Sequence, residues 1–394
     1  MIYMDNAATS PVDPEVLDAM LPYLKEEYGN PSSKYYCQAN KAKSAVEDAR
    51  ASVANFIGAK PEEIIFTAGA TESTNFVIKG YLDYSKYYGN GRNQVITSTA
   101  EHKATLNTCR YLNGDVFSND DPTTSLFGGT KKVERGYSAV FLDTDEYGRA
   151  LEKQLADSLS DNTALASFIY VNNELGTINP VERFAKLCHD NGTMLHVDGT
   201  QALGKIPVDV KSIDCDFMSA SAHKIYGPKG IGFAYIKSDK YGLPLITSLL
   251  HGGEQENGVR AGTLAVHNIV GFGKAAEIAL RDQAANEALI SELDAYLVSR
   301  ISEINDLQLL VPAELRAKGI LSILVNRTDF NNERFIRRIS DRVAISTGSA
   351  CSAGKPSHVL CAIGQKDNVN KILRVSINKY TTKQDIDELI ELLK

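Results

Sequence analysis

The chain of 394 residues has no apolar run long enough to cross a bilayer, which excludes a protein built on membrane-spanning helices. Its start, Met1-Ile2-Tyr3-Met4-Asp5-Asn6, lacks a basic stretch followed by an apolar one, so no secretory signal is expected. Cysteine is scarce. The six residues Cys37, Cys109, Cys188, Cys215, Cys351 and Cys361 include no Cys-x-x-Cys pair and are too sparse for a disulfide framework. Free thiols in a reducing cytoplasm are the expectation. Basic charge is not in excess: the net charge of -7 leaves no electrostatic footprint for nucleic acid, and neither a nucleic-acid nor a membrane partner is expected. The Gly-Lys-Ser/Thr ending of a Walker A loop is missing. No Gly-x-Gly-x-x-Gly follows the first predicted sheet strand, which weakens any dinucleotide reading. There is no repeat of solenoid length and no low-complexity tract. With 43% hydrophobic residues the chain is too apolar to be disordered.

What is present is an alternation of short apolar runs with helical stretches, the signature of a parallel sheet with crossover helices. The predicted strands are Glu63–Thr67, Gln94–Thr97, Ala164–Val171, Met194–Val197, Phe217–Ser219 and Gly232–Ile236. Most are apolar on both faces, as strands covered by helices on both sides must be. From Leu264 to about Ile304 the pattern turns helical. The remainder reads as a smaller α+β unit, with strands near Ile320–Val325, Val343–Ser346 and Leu373–Ile377. Its last helix begins with a capping-box-like Thr382-x-x-Asp385. The fold class expected is α/β: a large unit with a mainly parallel sheet and a smaller α+β unit. The polar stretch Asn113–Gly136 has no clear periodicity and reads as a long surface loop.

In an open parallel sheet, ligands bind beyond the carboxyl ends of the strands. Gly69-Ala70-Thr71-Glu72-Ser73 follows the first predicted strand and enters a helix, a favourable seat for an anion or an ordinary N-cap. Glu101-His102-Lys103, Asn172-Asn173-Glu174, Asp198 with Gln201, and Ser221-Ala222-His223-Lys224 follow the next four. Five successive strands thus deliver polar or ionisable groups to one edge. Lys224 stands directly after a buried strand, where a solvated charge is out of place; the alternative is a Schiff-base lysine in a partly desolvated site. Asp198 is either a cap or the carboxylate that keeps a pyridinium nitrogen protonated. His102 is either a satisfied core histidine or a group stacked on a cofactor ring.

The sequence resembles the cysteine desulfurases, of the aminotransferase class V group of fold-type I pyridoxal-phosphate enzymes, specifically their iron–sulfur housekeeping branch. The resemblance runs through Tyr3–Thr9, Gly29–Ser33, Phe66–Ser73, Glu101–Ala104, Val171–Gly176, His196–Asp198 with Gln201, and Ser221–Lys224. It continues through Gly252-Gly253 and Arg260–Thr263 to Gly348–Ser352 and Arg374–Ser376, and so covers nearly the whole chain.

The resemblance implies the following roles. Lys224 would hold pyridoxal phosphate covalently, and His102 would stack on the ring and help to move protons. Asp198 would pair with the ring nitrogen and Gln201 with the ring hydroxyl. Ala70, Thr71, Ser221 and His223 would hold the phosphate, joined by Thr263 from a neighbouring subunit of a homodimer. Asn173 and Arg374 would bind the substrate carboxylate, and Cys351 would be the nucleophile that takes sulfur from L-cysteine and passes it to an acceptor protein. No metal is expected. The implied division is a large cofactor-binding domain, residues 15–262, and a small domain, residues 1–14 and 263–394, carrying the cysteine.

The residues around Cys351, Ser346 to Gly354, are small and polar, and a segment of that composition suits a thiol that must travel. Cys109, Cys188, Cys215 and Cys361 read as core residues. A zinc site from Cys351, His358 and Cys361 lacks the usual ligand spacing. Three features depart from the family pattern. Asn113–Gly136 looks like an insertion, Cys351–Pro356 is slightly short, and Asn378 replaces a basic residue. The rival readings are selenocysteine lyase, another class V aminotransferase, or a non-catalytic sulfur-relay scaffold. Gly348-Ser349-Ala350-Cys351 argues against the first two, and intact Lys224, Asp198 and His102 against the last. The destination of the sulfur stays open between iron–sulfur clusters, thiolated tRNA, molybdenum cofactor and phosphorothioate DNA.

Overall fold

The structure, a computed structural model, describes residues 1–117, 132–239, 241–242, 244–348 and 356–394. Twelve strands are found among them: β1 (Ile2–Tyr3), β2 (Ile64–Thr67), β3 (Gln94–Ser98), β4 (Ser138–Leu142), β5 (Thr163–Ile169), β6 (Met194–Asp198), β7 (Phe217–Ser221), β8 (Gly232–Ile236), β9 (Leu307–Leu309), β10 (Ile320–Val325), β11 (Val343–Ala344) and β12 (Ile372–Ser376). Seven form the main sheet in the order β2-β8-β7-β6-β5-β3-β4. The pairs from β7 through β4 are parallel, and β8 runs antiparallel to both β7 and β2. Two reversals restore the direction of β2, so its carboxyl end lies on the same edge as those of β3, β5, β6 and β7.

The strands are apolar on both faces because helices cover both. Phe66, Ala166, Val197, Met218 and Phe233 point into one core, capped by the helices Cys37–Phe56, Val181–Asp190 and Val266–Arg281. Ile65, Val95, Leu165, Phe217 and Ala234 point into another, under the helices Ala70–Tyr87 and Lys103–Leu112. The alternation along each strand follows the two-residue period of the pleat. A further core lies between the sheet β12-β10-β9 and the helices Gln283–Ser302 and Lys383–Leu393.

The predicted strands of the main sheet are all present. Strand β4 escaped the sequence reading because it is an edge strand with only its last residue buried. The helical stretch from Leu264 divides at Asp282 into two helices with different partners. Val266–Arg281, expected with the smaller unit, packs instead into the main-sheet core through Ile269, Phe272 and Ala276. The last helix carries the expected capping box between Thr382 and Asp385.

Gly232 opens β8 on the functional edge, paired with both Thr67 and Ser221. A Cβ there would stand 2.4 Å from the Ala220 carbonyl oxygen and 2.7 Å from the Gly69 Cα. The missing side chain lets the turn after β2 lie against β8. Gly232→Ala should therefore destabilise the protein by about 1–3 kcal/mol, as overpacking against backbone does. Chemical denaturation checks this, and an unchanged midpoint would contradict the close approach.

Candidate active site

A cavity of about 540 Å³ opens at this edge. Ala70, Thr71, His102, Asn173, Asp198, Gln201, Ser221, His223, Lys224 and Arg374 all line it. Of the predicted site residues, Thr263 is exposed and is not among the residues lining this cavity. Cys351 lies outside the described residues, together with 349–355.

The turn after β2 places Gly69 at φ 149°, a backbone that favours glycine, as N-cap of the helix Ala70–Tyr87. The cap has no side-chain hydrogen bond. The first-turn amides of Ala70, Thr71 and Glu72 have no partner within the helix, and the helix dipole favours an anion in front of them. Across this turn, burial and the neighbouring Lys224, Lys229 and Lys205 charges push His223 down to about 4, which leaves it neutral at physiological pH. Its Nδ1 is 3.1 Å from the Thr9 hydroxyl.

Lys224 follows β7 in a short 3-10 turn, Ala222–Lys224. Its Nζ donates to the carbonyls of Ala7 at 2.7 Å and Ala8 at 2.6 Å. Gln201 donates through Nε2 to the same Ala7 carbonyl at 2.7 Å, and its buried Oε1 has no partner among the described residues. Asp198 ends β6, is buried, and accepts the Thr200 amide at 3.0 Å. One turn of pleat back, His196 bridges Ser167 (2.8 Å) and Ser219 (3.0 Å), tying three strands together below the site. Burial lowers His196 to about 4, so the bridge is neutral.

His102 is the N-cap of the helix Lys103–Leu112, and its Nδ1 accepts the Ala104 amide at 3.1 Å. Burial lowers its pKa, against the pull of Asp198. The ring is thus neutral at physiological pH, and its proton sits on Nε2. Beside it, burial and the Asp198 charge raise Glu101 to about 8, although Ser98 and the Ile169 amide each bond it at 2.7 Å.

Arg374, on β12, is buried and heavily bonded. Its Nη2 meets Asp5 at 2.7 Å, and its Nη1 donates to the carbonyls of Asn173 (2.8 Å) and Gly348 (3.1 Å). Two atoms in this corner, Arg374 Nε and Asn173 Oδ1, are buried without a partner among the described residues. Both residues line the cavity.

The ends of the cysteine segment are placed as well. Gly348 lines the cavity, held through its carbonyl by Arg374. At the far end, Ser357 donates to Glu174 Oε2 at 2.5 Å, and His358 Nε2 is 2.8 Å from the Glu101 carbonyl. A carbonyl only accepts, so that nitrogen carries the proton. Cys109, Cys188 and Cys215 are buried as expected, whereas Cys361 is half-buried on the short helix His358–Ala362 and does not belong to the core. Asn378 closes a turn, bonding the Thr381 hydroxyl and the Tyr380 amide, and reaches the Tyr3 carbonyl.

Sequence reasoning gave no role to Thr9, to the Ala7 and Ala8 carbonyls, to Glu101 or to the Glu174–Ser357 pair. The first four belong to motifs already quoted; Ser357 carries no sequence signal.

This geometry agrees with what is found among known proteins. The chain matches the aminotransferase class-V family over residues 2–116 and 130–389, and the interruption falls within Asn113–Gly136. It is 39% identical over 396 residues to the cysteine desulfurase IscS of Rickettsia typhi, covering all of this chain and 90% of that one. Among solved structures, a NifS-like protein superposes with a TM-score of 0.85 at 31% identity, covering 100% of this chain and 98% of that one. SspA in complex with cysteine superposes at 0.78 and 31% identity, covering 97% and 100%. The chain belongs to the aminotransferase class-V family, with the fold-type I architecture, and within that family to the cysteine desulfurases, which depend on pyridoxal phosphate.

The residues present fit that cofactor. The helix N-terminus and neutral His223 offer a seat for its phosphate, buried Asp198 suits a protonated ring nitrogen, and the orphaned Gln201 Oε1 suits a ring hydroxyl.

The raised pKa of Glu101 has a thermodynamic consequence. Its native pKa of about 8 exceeds the ordinary value of 4.5, so between them the native state holds a proton that the unfolded state has lost. Stability must fall as pH rises through that window. Wild type should lose stability relative to Glu101→Gln between about pH 5 and about pH 8. Paired thermal melts across this range check it, and a constant difference would contradict it.

Proposed function

We propose that the chain removes sulfur from L-cysteine, releasing L-alanine and leaving a persulfide on Cys351 for transfer to an acceptor protein. One observation carries this reading. Lys224, His102, Asp198 and Arg374 line a single cavity, and Gly348, three residues before Cys351, lines it too.

Bound pyridoxal phosphate supplies an electron sink for charge that develops at the substrate α-carbon. The protein's own groups do the rest. Lys224 is held at the cavity by the Ala7 and Ala8 carbonyls and is the covalent anchor of the cofactor. Asp198 keeps a proton on the ring nitrogen, and Gln201 orients the ring through its free oxygen. Ala70, Thr71, Ser221 and His223 receive the phosphate, with Thr263 contributed across a homodimer. Arg374 and Asn173 bind the substrate carboxylate, Arg374 with its unpartnered Nε among the donors. His102, neutral with its proton on Nε2, lines the cavity where it would stack on the bound ring and relay a proton. The Cys351 thiolate attacks the substrate sulfur. A sulfur–sulfur bond forms as the carbon–sulfur bond breaks, and the electron pair of that bond remains with the carbon, which takes up a proton to become the alanine methyl.

We place the division between the two units near Asp282, after the helix that packs with the main-sheet core. No described helix is long and apolar enough to cross a membrane. A nucleophilic cysteine must stay a free thiol between turnovers, which a reducing compartment ensures, and the cytoplasm is the one proposed.

Lys224→Ala should abolish desulfuration and the visible absorbance of the purified protein. Turnover close to wild type would overturn the assignment.

A further inference from the structure

Lys224 also lines a second cavity, of about 280 Å³, whose other walls come from Gly204–Pro207, from Ile225, Tyr226 and Ile278 of the larger unit, and from the smaller unit. Three buried atoms among its lining residues have no partner among the described residues: Lys205 Nζ, Arg316 Nε and Asn6 Oδ1. The other cationic groups of the wall are engaged. Arg316 directs Nη1 and Nη2 to Asp294 at 2.6 and 2.8 Å. Lys318 donates to the Ala313 carbonyl at 3.0 Å, Lys379 pairs with Asp13 at 2.5 Å, and Lys224 holds Ala7 and Ala8. Glu287, the acidic residue of the wall, is exposed. Lys205 Nζ is therefore a buried amine for which the described residues provide no counter-charge, so its charged form is costly unless something fills the cavity.

We infer that this cavity is a binding site for a small aliphatic carboxylate, with Lys205 Nζ and Arg316 Nε as donors to its oxygens. The remaining wall is mixed: Ile206, Ile225, Ile278 and Ile377 supply an apolar face, and Gln283, Asn286 and Ser291 lie among the polar residues. The isoleucine side chains suit a short hydrocarbon tail. Burial, reinforced by the Lys224 charge, lowers the pKa of free Lys205 to about 7. A bound carboxylate favours the ammonium form, so binding above that pH must draw in a proton.

The test is calorimetric titration of the holoenzyme with butyrate at about pH 8, in two buffers of different ionisation enthalpy. An Arg374→Ala background removes the substrate subsite as a competing carboxylate site. The expected result is saturable binding with proton uptake. Lys205→Met should weaken binding about tenfold to a hundredfold, the worth of one charge-assisted hydrogen bond. Lys205→Arg should keep binding and lose the proton uptake, which makes the result readable even if the methionine variant fails to fold. Four outcomes would each overturn the inference: no saturable binding, binding without proton uptake in the Lys205 protein, unchanged affinity in Lys205→Met, or the same heats from chloride or phosphate at equal ionic strength.

Discussion

The short segment Asp5–Thr9 is the tie on which the site depends. Its Ala7 and Ala8 carbonyls hold Lys224, the Ala7 carbonyl also takes the Gln201 amide, and the Thr9 hydroxyl meets His223. At its other end Asp5 pairs with Arg374, and the Ala7 amide donates to the Ser376 hydroxyl at 2.9 Å. One turn, closed by the Ala8 amide on the Asp5 carbonyl, therefore touches the groups assigned to the cofactor and the arginine assigned to the substrate. It also joins the two units, since Met4 packs in the smaller core while Ala7 packs in the larger. A shift of one unit against the other is transmitted to Lys224 and Arg374 together.

Burial sets the charge state of the site more than any single ion pair. His102 and His223 are both held neutral, and Glu101 and Glu174 are both pushed towards their protonated forms, with desolvation as the first cause in each. The groups proposed to enter, a phosphate at the helix N-terminus and a carboxylate at Arg374, bring negative charge to a cavity that Lys224, Lys229 and Arg374 also line. The Glu174–Ser357 bond and the Arg374–Gly348 bond fix the described ends of the cysteine segment against this cavity.

Much of this was legible in the sequence, for a physical reason. Central strands buried on both faces must be continuously apolar, so β5, β7 and β8 announce themselves, and in a parallel sheet the residues after such strands share an edge. Lys224, Asp198 and His102 were found that way. What depends on long-range contact was not legible. The edge strand β4 has too little burial to show a pattern. The helix Val266–Arg281 has an apolar stripe that reads the same whichever core it faces. The carbonyls of Ala7 and Ala8 have no residue type at all, and Glu101 acquires its raised pKa only from being enclosed.

The central claim is that sulfur passes from the cavity to Cys351, three residues after Gly348. The most direct measurement is mass spectrometry of the wild-type protein after addition of L-cysteine without reductant. The account predicts one added sulfur atom on the peptide that contains Cys351, and none on those containing Cys37, Cys109, Cys188, Cys215 or Cys361. An added sulfur on half-buried Cys361 instead, or no protein-bound sulfur while alanine accumulates, would contradict it.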